Sequence, residues 1–278
     1  MVRRSRMLTL AIVLSLMIGA SRRLDAITYG FVDSTNAFSN TGAFIVVAPD
    51  GRLFPICSGT LISPTVFLTA SHCTIFFEQE LRPAGYIAGV SFDAIIPFGE
   101  LTSRSTKVIA ATSVVTNPLY NQSKSDSGDI AVMLLPARQT RGITPATLPP
   151  AGLLDRLSAQ NGLKTAVFTP VGYGVQNRVN GGGPPFFQDL NPVPRMYAFS
   201  AFNSLNGGYL RLSQNASTGN GGTCFGDSGG PNFLNVDGRR LLVAITITGD
   251  SVCRSTNVDY RLDIASARAF LAPYVALP

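Results

Sequence analysis

Tryptophan is absent from this chain of 278 residues, histidine occurs once, and cysteine only four times. A single histidine, with no CxxC or HxxxH spacing, leaves no legible zinc site. The glutamates Glu78, Glu80 and Glu100 do not cluster as a calcium loop would need, so neither a metal nor another cofactor is expected. Charged residues make up only 14% of the chain, and no Lys/Arg cluster carries interleaved aromatics, which excludes nucleic-acid binding. The formal net charge of +6 is also less than it looks. Five of the 22 basic residues and one of the 16 acidic ones lie in residues 1–26, and the remainder nets only +2. The overall basicity therefore says little about partners.

Long hydrophobic runs are missing too, except at the start. Arg3, Arg4 and Arg6 precede an apolar run from Met7 to Ala20, too short for a comfortable membrane span. Residues 1–20 are read as a signal peptide, and "SRRLDA" (21–26) as a short propeptide or an extended signal. A secreted protein follows, without membrane contact once the leader is removed. Export permits disulfides, and Cys57, Cys73, Cys224 and Cys253 suit two bridges. Spacing does not choose among the three pairings. The sequons at Asn121 and Asn215 matter only where the source glycosylates secreted proteins.

What is present is strand signal. "AFIVVAP", "TLISPTVFLTA", "SFDAIIPF", "KVIAATSVVT", "DIAVMLLP", "TAVFTPVGYG" and "RRLLVAITITG" are short β-branched runs bounded by Gly, Pro, Asn or Asp. Such a pattern predicts an all-β sandwich or barrel rather than alternating β/α units. One helix is predicted at the end, over "ASARAFLAPYVAL", with Asp263 or Ser266 as its cap. The Pro-rich "TPATLPPAGLL" (144–154) reads as a connector between two halves, residues 27–150 and 151–278. "NRVNGGGPPFFQDLNPVP" (177–194) reads as a long exposed loop.

Chemistry concentrates in two short stretches. In "GGTCFGDSGGP" (221–231), Ser228 is framed by Gly226, Gly229 and Gly230. Glycines permit positive φ and a close approach of substrate. The Gly226 and Ser228 amides in such a turn suit an oxyanion hole. A serine hydroxyl needs a base, and the lone His72 in "TASHC" is the one available. A base of this kind needs a carboxylate to hold its tautomer. Asp129, directly before an apolar strand, is preferred over Asp126, which lies in the preceding turn and is expected to be solvated. Chain order then discriminates. An α/β-hydrolase requires the histidine after the serine, and none follows. A subtilisin order would use Asp33 or Asp50 but needs parallel β/α units. His72, Asp129, Ser228 within an all-β pattern fits the remaining order.

With these motifs assembled, the chain resembles the chymotrypsin/trypsin-like serine peptidases. The resemblance rests on "CSGTLISPTVFLTASHC", "DIAVMLL", "VGYG", "GTCFGDSGGP" and "LLVAITITGDSVC". It implies two six-stranded antiparallel barrels with the site between them, a closing helix, and peptide-bond hydrolysis through an acyl-enzyme. His72 and Asp129 would come from the first barrel, and Ser228 and the specificity pocket from the second. It pairs Cys57 with Cys73 and Cys224 with Cys253, the first bridge pinning the strand end that carries His72. "ITYG" (27–30) resembles the family's mature terminus, so a cut after Ala26 would let the Ile27 ammonium pair with Asp227, as in a zymogen. Gly222, six residues before Ser228, stands where trypsin-type members place an acid. With Gly249 at the mouth and Val258 inside, the pocket is expected to favour a small or medium apolar side chain. Asp259 sliding into the pocket would favour a basic one instead. Ile247-Thr248-Gly249 replaces the usual Ser-Trp-Gly wall. The implied partners are a polypeptide substrate and, as a further possibility, a protein inhibitor, with the chain a monomer. The rival reading is a catalytically inactive binding protein on the same scaffold.

Overall fold

The computed structural model describes residues 27–101, 106–175 and 191–278, with the backbone of 178–179 and 186–187. The expected signal peptide and propeptide, and most of the 177–194 loop, lie outside the described residues. The first half contributes β1 (Phe31–Val32), β2 (Thr41–Val47), β3 (Leu53–Ser63), β4 (Val66–Thr69), β5 (Ile87–Ser91), β6 (Ile95–Ile96), β7 (Ile109–Ala110), β8 (Ser113–Thr116) and β9 (Ala131–Leu134). The second contributes β10 (Val167–Gly172), β11 (Arg178–Val179), β12 (Phe186–Phe187), β13 (Val193–Pro194), β14 (Met196–Tyr197), β15 (Ser200–Leu205), β16 (Tyr209–Ser213), β17 (Pro231–Val236), β18 (Arg239–Gly249) and β19 (Thr256–Arg261). Short helices follow β4 (α1, Ser71–Phe76), open the second half (α2, Leu153–Ala159) and close the chain (α3, Ala265–Leu271).

β2 shows why these runs are strands. Successive side chains of a strand point to opposite faces. Phe44 and Val46 enter one apolar cluster with Leu61, Phe67, Val90 and Met133, while Ala43 and Ile45 enter another with Leu53 and Ile96. Both faces are covered, so the sequence reads as one continuous apolar run.

Seven strands in the order β7-β5-β2-β3-β4-β9-β8 form an open antiparallel sheet, a half-barrel. In the second half, β10-β15-β16-β19-β18-β17 close into a six-stranded barrel through the β10–β17 pairing. The all-β fold is thus as expected, with one closed barrel and one half-barrel. β1 crosses over to pair with β14, and β13 returns to pair with β6. Val193 and Pro194, at the end of the segment read as an exposed loop, are buried in that pairing. A third cluster joins the halves: Ile62, Leu68, Ile130 and Val132 meet Val171, Phe233, Ile245 and Tyr260, with Ala267 and Leu271 of α3 on top.

Two local expectations change. Neither Asp263 nor Ser266 caps α3, whose N-cap is Ile264 without a side-chain bond. Asp263 instead pairs with the buried Arg261 and accepts the Leu154 N–H of α2. Ser266 lies inside the first turn and donates to Asp126. Asp126 is therefore not simply solvated; it also accepts from the Tyr260 hydroxyl and ties the first half to α3. α2 itself was not anticipated. Its Leu153 and Leu154 are buried and Leu157 packs beside them on the second barrel.

Candidate active site

Antiparallel pairing of β4 with β9 places Thr69 opposite Ala131. The residues after Thr69 and before Ala131 therefore leave the sheet at the same end. That register brings His72, in the first turn of α1, against Asp129. One Asp129 oxygen accepts the His72 backbone N–H at 3.0 Å and the other lies 2.8 Å from Nδ1. An ionised carboxylate only accepts, so Nδ1 carries the ring proton and Nε2 presents its lone pair. Asp129 is 3% exposed. The Ser71 hydroxyl donates to the Ile130 carbonyl at 2.7 Å and locks the two segments together. The Cys57–Cys73 disulfide fastens α1 to β3, and Cys224–Cys253 fastens the Ser228 turn to the loop between β18 and β19. Cys57, His72 and Cys73 bring three ligand-type atoms close together. Both sulfurs are in the disulfide, so neither offers a thiolate to a metal.

The Ser228 turn is shaped by its glycines. Gly226 and Gly229 have φ of +94° and +79°, and a Cβ on Gly229 would collide with Thr69 Oγ1. The Ser228 carbonyl accepts the Ser58 N–H of β3 at 2.8 Å, which joins the turn to the first half. The Phe225 carbonyl accepts the Val175 N–H at 2.7 Å. In a trans peptide C=O and N–H point in opposite directions, so the Gly226 N–H is aimed away from Val175. Neither the Gly226 nor the Ser228 N–H donates to another group among the described residues. His72 and Ser228 line one cavity of about 260 Å³. Their side chains share no hydrogen bond among the described residues, a contact that often tightens only when substrate is bound. A larger groove of about 480 Å³, between residues 115–128 and α3, contains neither of them.

Asp227 is fully buried. It accepts from the Gly174 N–H at 2.8 Å and the Cys224 N–H at 2.9 Å, and no cationic side chain pairs with it among the described residues. Burial pushes its carboxyl up to about 7, against the opposing pull of those two amides. Ile27 is also fully buried, beside Met196 and Ala198. Its neighbour Thr28 accepts the Gly222 N–H at 3.0 Å.

Of the three residues expected in the specificity pocket, the structure brings Gly249 to the cavity but not Gly222 or Val258. A Cβ on Gly222 would collide with the buried Gln214, so the space that glycine leaves is filled by Gln214. The cavity is lined instead by Thr223, Thr246, Ile247, Thr248 and Asp250. Asp259 lies behind Thr246, accepting from Thr246, Asn232 and Asn257, and burial pushes its carboxyl up to about 8. Burial also acts to raise Asp250, but the N–H groups of Arg254, Thr256 and Ser255 and the Gln214 amide outweigh it and hold that carboxyl below its ordinary range. Sequence reasoning did not find Gln214, Thr223 or Asp250, because no local pattern marks a side chain that fills a neighbour's missing Cβ.

A family model described as Trypsin matches residues 32–270. The chain belongs to the trypsin family. It is similar to a brachyurin from Leptuca pugilator, at 32% identity over 78% of this chain and 89% of that protein. It is also similar to a trypsin from Saccharopolyspora erythraea, at 29% identity over 75% of this chain and 81% of that protein. With vitamin K-dependent protein C from Rattus norvegicus it shares 27% identity over 79% of its own length, but only 46% of that longer protein. Membership carries the general activity class of a serine peptidase acting on polypeptides, and the two disulfides agree with it. Among the described residues no helix is long and apolar enough to cross a membrane.

Proposed function

We propose that the protein is a secreted serine endopeptidase whose triad is His72, Asp129 and Ser228. The observation that carries this is the His72–Asp129 pair, which leaves Nε2 as an acceptor on the same cavity as Ser228. Ser228 Oγ attacks the scissile carbonyl carbon while its proton passes to His72 Nε2. The resulting oxyanion accepts from the Gly226 and Ser228 N–H groups, each worth about 3–4 kcal/mol of barrier. The imidazolium, held by Asp129, then protonates the departing amine, and water repeats the sequence on the acyl-enzyme.

Two further parts belong to the proposal. A cut after Ala26 frees the Ile27 ammonium to pair with Asp227, a buried carboxyl held among the described residues by two backbone amides. The side chain before the scissile bond enters the cavity walled by Thr223, Thr246, Ile247 and Thr248, and a small or medium apolar group suits it best. Secretion is supported by the leader in the sequence and by the disulfides.

Cleavage profiling on a mixed peptide library, read by mass spectrometry with Ser228→Ala as control, tests the reading. Cleavage by the wild type alone is expected, with turnover of the variant lower by roughly 10⁶-fold. Arg or Lys before the cuts would overturn the apolar preference and implicate Asp250, the carboxylate that lines the cavity. No cleavage by protein verified to begin at Ile27 would overturn the peptidase and favour a non-catalytic binding protein.

A further inference from the structure

Three successive backbone N–H groups, from Tyr173, Gly174 and Val175, all serve the turn that carries Ser228. Val175 donates to the Phe225 carbonyl at 2.7 Å, and Gly174 to Asp227 at 2.8 Å. Tyr173 donates to the Ser58 hydroxyl at 3.0 Å, and that hydroxyl donates to the Gly226 carbonyl at 3.0 Å. The short segment 173–175 therefore braces residues 225–227 from one side. Its position in turn depends on what holds Tyr173.

The Tyr173 ring is 4% exposed, and its hydroxyl is anchored far from the turn. It donates to the Asp93 carbonyl at 2.8 Å and accepts from Arg195 Nη1 at 3.0 Å. Arg195 is itself wholly buried. It pairs with Asp33 at 2.9 Å, donates to the Thr41 and Phe92 carbonyls at 3.1 and 3.0 Å, and bonds Asn36. Removing one partner of a buried, hydrogen-bonded charge is strongly destabilising, so this end of the tyrosine sits in a rigid frame. The frame joins the segment after Ile27, the first sheet and the β13–β14 region at one point.

We propose that Tyr173, anchored by Arg195 and joined to Gly226 through the Ser58 hydroxyl, is a positioning residue that keeps the Gly226 N–H aimed at the oxyanion. The inference rests on Ser228 being the nucleophile. Neither Tyr173 nor Arg195 lines the cavity that holds His72 and Ser228; they act through the 173–175 backbone.

The test uses Ser58→Ala and Tyr173→Phe in the full mature enzyme. Each is compared with wild type for kcat and KM on one peptide substrate. Each is also compared for affinity toward a peptide aldehyde, whose adduct with Ser228 uses the oxyanion donors, and toward the corresponding alcohol, which forms no adduct. Small displacements of a catalytic donor cost up to about 10²-fold, so kcat should fall by roughly that factor in Ser58→Ala and by about tenfold in Tyr173→Phe. KM and alcohol affinity should hold, and aldehyde affinity should fall in step with kcat. Tyr173→Phe removes one oxygen and keeps the ring, so it decides the matter where Ser58→Ala does not fold. Folded variants with wild-type kcat and aldehyde affinity, or with altered KM alone, overturn the positioning role. A wild type that neither cleaves peptides nor binds the aldehyde overturns instead the assignment of Ser228.

Discussion

Two carboxylates flank the proposed reacting groups, and both are buried, yet among the described residues only Asp129 has an ionisable side chain at hydrogen-bond distance. Asp129 meets His72 at 2.8 Å, positioned by the β4–β9 register and one disulfide. Asp227, one residue before Ser228, meets only the Gly174 and Cys224 amides among the described residues. The base side is thus complete once the first sheet has folded. On the nucleophile side, a charge that burial disfavours is held by backbone donors, so its order depends on segments remote in sequence. The difference predicts which half yields to a local change and which to a distant one.

The sharpest way to break the base side is Asp129→Asn. The amide keeps the shape but can donate toward Nδ1, which stabilises the wrong histidine tautomer and leaves the imidazolium uncompensated. Turnover on a peptide substrate is expected to fall by roughly 10⁴-fold with the fold intact. A variant within tenfold of wild type would remove Asp129 from the triad.

The nucleophile side should break from a distance. Adding one alanine ahead of Ile27, in a chain otherwise mature, displaces the proposed ammonium from Asp227. Loss of one partner of a buried pair costs about 3–5 kcal/mol, or roughly 10²–10⁴-fold in activity where that pair orders the site. Comparison of kcat/KM for chains with verified N-termini reads this directly. Full activity in the extended chain would show that the amides of Gly174 and Cys224 suffice.

The same asymmetry marks what could be read from the sequence. The base-side elements were legible because β-branched runs with clear turn residues, such as "TVFLTA" and "DIAVMLL", need nothing remote to declare themselves. β19 was not, since its polar residues take most of their partners from outside the strand. Asn257 and Asp259 bond Thr223, Thr246 and Asn232, residues far away in the chain. Asp263 looked like a helix cap on local grounds, but the buried Arg261 competes for it and wins. At the pocket, Gly222 announces a missing side chain without saying what fills the space. The structure answers with Gln214, eight residues earlier in the chain and held by Asp250.

The smallest expected effect is on stability against pH, and it isolates what cleavage does to Asp227. Asp227 has its pKa raised from 3.8 to about 7 by burial, and Asp259 from 3.8 to about 8. For such a group the folded chain binds the proton more tightly than the unfolded one. Its contribution is fully present below pH 3.8 and is lost as pH rises to about 7 for Asp227 and about 8 for Asp259. The slope cannot exceed about 1.4 kcal/mol per pH unit for each acid. Urea melts across that window, on a Ser228→Ala background to prevent self-cleavage, should show the uncut chain weakening from pH 4 upward. In the chain beginning at Ile27, an ammonium beside Asp227 lowers that carboxyl's pKa, so only the Asp259 share of the slope should remain. Identical slopes in the two chains would mean that no charge reaches Asp227 on cleavage, and the nucleophile side would then have to be ordered by the 173–175 segment alone.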